Sequence, residues 1–251
     1  PLAIKDNILI KGKICSSGSR MLENYVATYD STVIKKLKKH DAIMLGRVNM
    51  DEFAMGSRNE NSYFGRVANP WVANLTPGGS SGGSAASVAA GLCCFATGSD
   101  TGGSIRQPAA LCGLTGIKPT YGHVSRFGMI AYASSLDQGG ILARSALDCT
   151  IALNAIEGQD DKDSTSLYRP SNRTLNTSSS PLSGINIGVI DNIDTRALDT
   201  TMQSLLDNAI DTFATLGANI VPITLTHIDD WVACYYVIAA AEAASNFARY
   251  V

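Results

Sequence analysis

Apolar and polar positions along this chain switch between a period of two and a period of about three and a half, and each switch marks an element. PLAIKDNILI reads as a short apolar strand and turn over residues 1–11, interrupted by one cation, Lys5. Ser31 caps an amphipathic helix through Lys39, and Ala42 to Val48 is an apolar strand. Ser84 to Gly91 predicts a helix of small residues, followed by a second apolar strand from Leu92 to Thr97. Arg144 to Ile156 predicts a further amphipathic helix closed by Gly158. Residues 159–184 are polar, carry Pro170, Pro181 and the run Ser178, Ser179, Ser180, and predict a surface connection. Ile185 to Ile190 is then a strand and Ile220 to Ile223 another. Between them Ala197 to Leu216 is a helix with Leu198, Met202, Leu205, Ala209, Phe213 and Leu216 on one face, completing a βαβ unit. Trp231 to Val251 reads as helix to the last residue. The alternation predicts an α/β fold: a mixed, largely parallel sheet covered by helices on both faces.

Composition narrows the function classes. The 251 residues are 45% hydrophobic and 17% charged with a net charge of -2, which excludes a disordered or fibrous chain and allows a core large enough to bury a pocket. Twenty basic against 22 acidic residues supply no phosphate-neutralising surface, so nucleic acid would be gripped through a partner. Val232 to Ala244 is too short for a membrane span and is interrupted by Tyr235, Tyr236 and Glu242. The N-terminus does not read as a signal peptide. Cys15, Cys93, Cys94, Cys112, Cys149 and Cys234 form no CxxC pair and read as reduced core thiols, with no disulfide framework and no metal site. The expected compartment is the cytoplasm or the mitochondrial matrix.

The chemistry concentrates in two glycine-rich segments, PGGSSGG over 77–83 and GSDTGGSIRQP over 98–108. Glycine permits sharp turns and close backbone approach, so such segments can aim amide N–H groups at one small anionic atom. A phosphate loop is one reading, but neither GxxxxGK[ST] nor GxGxxG with its acidic residue occurs. Gly78 to Gly82 satisfies GxSxG around Ser80, a nucleophile elbow that would need a histidine base. His40 ends a lysine-rich helix and His227 lies in a polar turn, leaving His123 as the candidate. A lysine base is the other reading: Lys5 is either a snorkelling surface residue or a desolvated functional amine, and periodicity does not choose.

With Lys5, Asp6 and Asn7 upstream of the region from Pro77 to Pro108, the chain resembles the amidase signature family. The segments 49–57, 116–128, 133–138 and 160–166 are similar to the glutamine-hydrolysing branch of that family, which serves tRNA-dependent amidotransferases. The resemblance implies a single amidase-signature domain over 1–251. In it Ser104 is the acyl-forming nucleophile, Ser80 a bridging serine with a cis peptide, and Lys5 the terminal base. Thr101, Gly102, Gly103 and Ser104 would supply oxyanion-binding N–H groups, Ser81 would support the relay, and Tyr235 and Tyr236 would lie near the substrate pocket. Asp100 and Arg106, like Arg126 and Asp137, are read either as loop-fixing groups or as substrate contacts. The implied substrate is glutamine, and the implied partners are amidotransferase subunits B and C or their equivalents. Ammonia would pass to a partner that converts Glu-tRNA(Gln) to Gln-tRNA(Gln), with ATP and magnesium bound there and no cofactor in this chain. Free-standing amidase action on small amides, or an inactive interaction subunit, are the rival readings. The family's helical region before the KDN strand and its long C-terminal portion have no counterpart here. This implies a chain truncated at both ends and lacking the groups that clamp the glutamine α-amino and α-carboxylate.

Overall fold

A computed structural model describes residues 1–168, 180–194, 196 and 198–250, and contacts gather the chain into two compact units, 1–171 with 236–251, and 172–235. The expected run Ser178 and Ser179, with Pro170, Ala197 and Val251, lies outside the described residues.

The first unit is built on a five-stranded sheet of β1 (Leu2–Lys5), β2 (Met44–Val48), β3 (Phe95–Asp100), β4 (Thr115–Ile117) and β5 (Gln138–Ala143), in the order β2-β1-β3-β5-β4. β1 runs parallel to both β2 and β3, while β5 runs antiparallel to β3 and to β4, so β5 alone opposes the other four. Helices α1 (Thr32–Lys39) and α4 (Ala146–Ile156) cover one face, and α2 (Gly82–Ala89) and α3 (Arg106–Leu111) the other. Period-two alternation decides which side chain goes where. Leu2 and Ile4 of β1 and Ile141 of β5 join Ile34, Leu37 and Leu153 in the larger core. The intervening Ala3, with Ala96, packs against Val88 of α2, and Leu142 packs against Ala85 and Ile105. Each fully buried Leu or Ile contributes about 1.5–3 kcal/mol. Lys5 follows Ala3 onto the α2 side.

Small residues set the height of α2 over the sheet. A Cβ on Gly83 would stand 2.3 Å from the Asn49 carbonyl oxygen, and one on Gly82 2.4 Å from Asn59 Oδ1. This helix therefore begins two residues before the expected Ser84 and ends at Ala89. The expected strand from Leu92 to Thr97 is shifted to Phe95–Asp100, so Gly98, Ser99 and Asp100 are strand and not loop. α3, β4 and β5 were absent from the sequence expectation altogether.

The closing helix, α6 (Trp231–Phe247), passes into a short 3-10 turn at Ala248–Tyr250. Its Asn246 donates through Nδ2 to the Tyr132 carbonyl at 3.1 Å, and Phe247 and Tyr250 pack on Phe53 with ring centroids 4.7 and 5.6 Å away. No helix among the described residues is long and apolar enough to cross a membrane.

The second unit has the expected βαβ form: β6 (Asn186–Ile190) and β7 (Asn219–Ile223) pair in parallel around α5 (Thr200–Thr215), whose N-cap Asp199 accepts from the Met202 N–H at 2.8 Å. The apolar face expected of this helix is present, but no residue of α5 is buried; Met202 and Leu205 are 50% and 56% exposed. The thiols also divide. Cys15, Cys93, Cys112 and Cys149 are buried as expected, whereas Cys94 and Cys234 are exposed and are not core residues. Burial pushes Cys15 up to about 12 and Cys112 and Cys149 up to about 11, so these three remain thiols at neutral pH.

Candidate active site

Parallel strands deliver Lys5 and Ser99 to neighbouring positions, because β1 and β3 end at the same edge of the sheet. The N-terminus of α2 lies over them and brings Ser80 and Ser81. Lys5 Nζ donates to Ser80 Oγ at 2.7 Å, to Ser81 Oγ at 2.8 Å and to Ser99 Oγ at 2.9 Å, with the Ser99 carbonyl at 3.3 Å. Lys5, Ser80 and Ser81 are each 0% exposed. The peptide between Gly79 and Ser80 is cis. Ser81 occupies the N-cap of α2 without capping it, since its hydroxyl donates to the Ser99 carbonyl at 3.2 Å and accepts from Lys5. The sequence places a helix-capping residue here, and the site takes its hydroxyl for another purpose.

The electrostatics of Lys5 follow from this burial. Desolvation lowers its ammonium from 10.5 to about 7, against the opposing pull of Asp100, Asp51 and Asp137. The positive end of the α2 dipole acts in the same direction as desolvation. With no exposed surface, Lys5 is a desolvated lysine and not a snorkelling one, and near pH 7 its amine is partly uncharged.

Ser104 follows β3 across a short turn and is 8% exposed. Its carbonyl accepts from the Ser81 N–H at 3.2 Å, tying the turn after β3 to the α2 start. Asp100 shapes the turn. Its carboxylate accepts from the N–H groups of Gly103 at 2.8 Å, Ile105 at 3.0 Å and Arg106 at 3.3 Å, and from the Arg106 guanidinium at 3.0 and 3.1 Å. Burial pushes Asp100 upward, but the Arg106 bonds and charge and the Ile105 and Gly103 amides outweigh it and hold the acid below its ordinary range. These bonds make Asp100 and Arg106 loop-fixing groups. Gly103 has φ +130°, a conformation suited to glycine, and a Cβ there would meet nothing closer than 4.0 Å. Its N–H donates to Asp100. The N–H groups of Thr101, Gly102 and Ser104 make no hydrogen bond among the described residues.

Asp137 and Arg126 also organise loops. The Thr101 hydroxyl donates to Asp137 Oδ1 at 2.5 Å, and the Tyr132 and Ala133 N–H groups donate to its other oxygen at 2.8 and 3.1 Å. Arg126 Nη2 donates to Asp163 at 3.0 Å and to Thr165 at 2.7 Å, and its guanidinium lies 5.1 Å over the Tyr121 ring. Both line a cavity of about 280 Å³ with Ser134 and Lys162.

Four residues take places in the site that the sequence did not assign to them: Asn7, Asp51, Ser99 and Gln107. Asn7 Nδ2 donates to Ser99 Oγ at 3.0 Å. Gln107 Oε1 accepts from the Gly79 N–H at 2.9 Å, joining α3, just past Ser104, to the residue before Ser80. Asp51 N–H donates to the Ser80 carbonyl at 3.2 Å, and its carboxylate stands where a Cβ on Gly79 would fall, 1.9 Å away. The PGGSSGG pattern signals that close approach; the partner residues carry no pattern of their own.

The histidine readings find no support. His123 sits beside Glu157 at 3.9 Å with its carbonyl accepting from Gly158, His227 is exposed at a left-handed position (φ 58°), and His40 is an exposed C-cap. Tyr236 is 66% exposed and Tyr235 half-buried on α6. Among the described residues no cluster of three or more His, Cys, Asp or Glu side chains is arranged to hold a metal.

The family model described as Amidase matches residues 1–251. Curated relatives described as the A subunit of glutamyl-tRNA(Gln) amidotransferase are 53% identical over 250 residues in Pseudomonas aeruginosa and 52% over 250 residues in Marinomonas sp., each covering 100% of this chain. The alignments take in 52% and 51% of those relatives, so the chain spans about half their length. The crystal structure of the same A subunit from Thermotoga maritima superposes with a TM-score of 0.93 at 46% identity, covering 98% of this chain and 54% of that one. Native peptide amidase from Stenotrophomonas maltophilia gives 0.90 at 33% identity, covering 100% and 53%. Matched by the family model from its first residue to its last, and identical to the curated relatives at more than half of its aligned positions, this chain belongs to the amidase family.

Proposed function

We propose that this chain carries the acyl-transfer centre of a glutaminase within a tRNA-dependent amidotransferase. The observation that carries the reading is a fully buried amine held near neutrality at 2.7 Å from the Ser80 hydroxyl. Neutral Lys5 takes the Ser80 proton as Ser80 takes that of Ser104, and the Ser104 oxygen attacks the amide carbon. The N–H groups of Thr101, Gly102 and Ser104 receive the oxyanion, while Gly103 keeps its bond to Asp100. When the C–N bond breaks, Ser80 returns a proton to the departing ammonia and regains one from Lys5. Water then releases the acyl group along the same relay.

Glutamine is preferred as substrate because the relatives with more than half of their aligned residues identical to this chain bear the amidotransferase name. By the same support, subunits B and C or their equivalents are the partners. ATP, magnesium and Glu-tRNA(Gln) belong to them, in accord with the net charge of -2 and with glycine-rich loops that lack a phosphate-loop pattern. The match of one family model across both compact units supports reading the chain as one amidase domain, and the free thiols suit a cytoplasmic or mitochondrial matrix setting.

The test is glutamine hydrolysis by the intact protein with its partners. Ser104→Ala abolishes ammonia release and His123→Ala leaves it nearly unchanged; activity surviving in the serine variant, or lost in the histidine variant alone, refutes the assignment. The likeness to a peptide amidase favours a second reading, and efficient hydrolysis of small amides without partners would select it.

A further inference from the structure

Once Lys5 has accepted a proton it is an ammonium with three N–H donors and no exposed surface, so it requires three acceptors inside the protein. Ser80 Oγ at 2.7 Å and Ser81 Oγ at 2.8 Å are two of them, and Ser99 Oγ at 2.9 Å is the third, closer than the Ser99 carbonyl at 3.3 Å. Ser81 is directed by the same residue, because its own proton goes to the Ser99 carbonyl and its lone pairs are thereby left facing Lys5. Ser99 is in turn held from the other side. Asn7 is 2% exposed and donates to Ser99 Oγ at 3.0 Å, while its Oδ1 makes no hydrogen bond among the described residues. Holding Ser99 is thus the one hydrogen bond its side chain makes there.

We propose that Ser99, held by Asn7, is the third acceptor of the Lys5 ammonium formed during acylation, and that this pair positions the amine and sets how readily it takes the Ser80 proton. The inference rests on the Lys5, Ser80, Ser104 relay. In that step the Ser104 proton moves to Ser80 Oγ as the Ser80 proton moves to Lys5 Nζ. The freed electron pair on Ser104 forms the C–O bond, and the carbonyl pair moves onto oxygen. Three carboxylates also face the amine: Asp100 at the end of β3, Asp51 after β2 and Asp137 before β5. All three favour the ammonium, and Asp100 is itself paired with Arg106. They are unchanged in the variants below, so a change in Lys5 on altering Ser99 reports on the hydroxyl.

The experiment uses the intact natural protein, labelled with a fluorophosphonate, with the rate followed from about pH 5.5 to about 9. Lys5 is also titrated through its 13C-labelled ε-carbon by NMR. Losing an acceptor destabilises the ammonium, so Ser99→Ala moves the acid limb of the rate profile down by about one pH unit. It also lowers the plateau about tenfold, because a weaker base takes the proton less readily. Asn7→Ala moves the limb the same way by less, and Ser99→Thr, which keeps the hydroxyl, restores both limb and plateau. A plateau that falls while the limb stays, or a limb that moves upward, overturns the proposal in favour of a packing role. If the natural protein is not labelled at Ser104, the proposed function fails; the NMR titration of Lys5 in Ser99→Ala still decides the role of Ser99, since it needs no acylation.

Discussion

Replacing Lys5 by methionine removes the amine and keeps an unbranched chain that can fill the same space. Its effect on stability has a distinctive pH dependence. In the unfolded chain the amine titrates at 10.5 and in the fold at about 7. Below pH 7 both states are protonated, and the fold carries the full penalty of burying the ammonium. At about 1.4 kcal/mol per pH unit, that interval corresponds to about 5 kcal/mol. Between 7 and 10.5 the unfolded state binds the extra proton, so the natural protein gains stability as pH rises, by about 2 kcal/mol from pH 7 to 9. Methionine has no such term. It leaves the hydroxyls of Ser80, Ser81 and Ser99 without their lysine partner, at about 1 kcal/mol each and independently of pH. Lys5→Met is therefore expected to be inactive, no less stable than the natural protein at pH 7, and to lose about 2 kcal/mol of its relative stability by pH 9. Urea unfolding of both proteins at the two pH values measures this directly. A stability difference that stays constant to within about 0.5 kcal/mol would show that Lys5 is not held near neutrality by the fold.

Two further substitutions probe the support of Ser80. Gly79→Ala places a Cβ 1.9 Å from Asp51 Oδ2, and Asp51 is 1% exposed and pinned by the Asn59 N–H at 3.0 Å; chemical denaturation should show a loss of about 1–3 kcal/mol, with serine labelling lost as well. Gln107→Ala removes the acceptor of the Gly79 N–H and the donor to the Ser57 carbonyl, so stability should fall by about 1–3 kcal/mol and the acylation rate at least tenfold; Gln107→Glu, which keeps an acceptor for Gly79, should be acylated faster than the alanine variant.

The elements that sequence periodicity revealed are those with one wet and one dry face, such as α1, where Val33, Ile34 and Leu37 are buried beside exposed lysines. β5 escaped because helices cover both its faces: all six residues of QGGILA are buried, leaving no alternation, and two are glycines. α3 escaped because RQPAAL follows a glycine turn and contains Pro108, which a helix tolerates in its first turn. The family resemblance points to Lys5, Ser80 and Ser104 but says nothing of the state of Lys5. Whether one cation in an apolar strand reaches water depends on what covers it, here α2, and that cover is set by glycines near residue 80 whose neighbours, Asn49, Asp51 and Asn59, come from a different stretch of chain. Ser99 was hidden because GSDTGGS reads as loop throughout, whereas its first three residues complete β3. The apolar stripe of α5 was read correctly as a pattern, and its exposure shows that amphipathicity states what a helix can bury, not whether this chain buries it.

Peptide-mapped mass spectrometry of the protein phosphonylated by a fluorophosphonate, with fluoride as the leaving group and the rate followed across pH, addresses the uncharged amine and its serine partners together. The adduct is expected on Ser104, forming at a rate that rises through about pH 7 and vanishing in Lys5→Met. An adduct on any other residue, or a rate on Ser104 that is the same at about pH 6 and about pH 8, would contradict a relay driven by neutral Lys5.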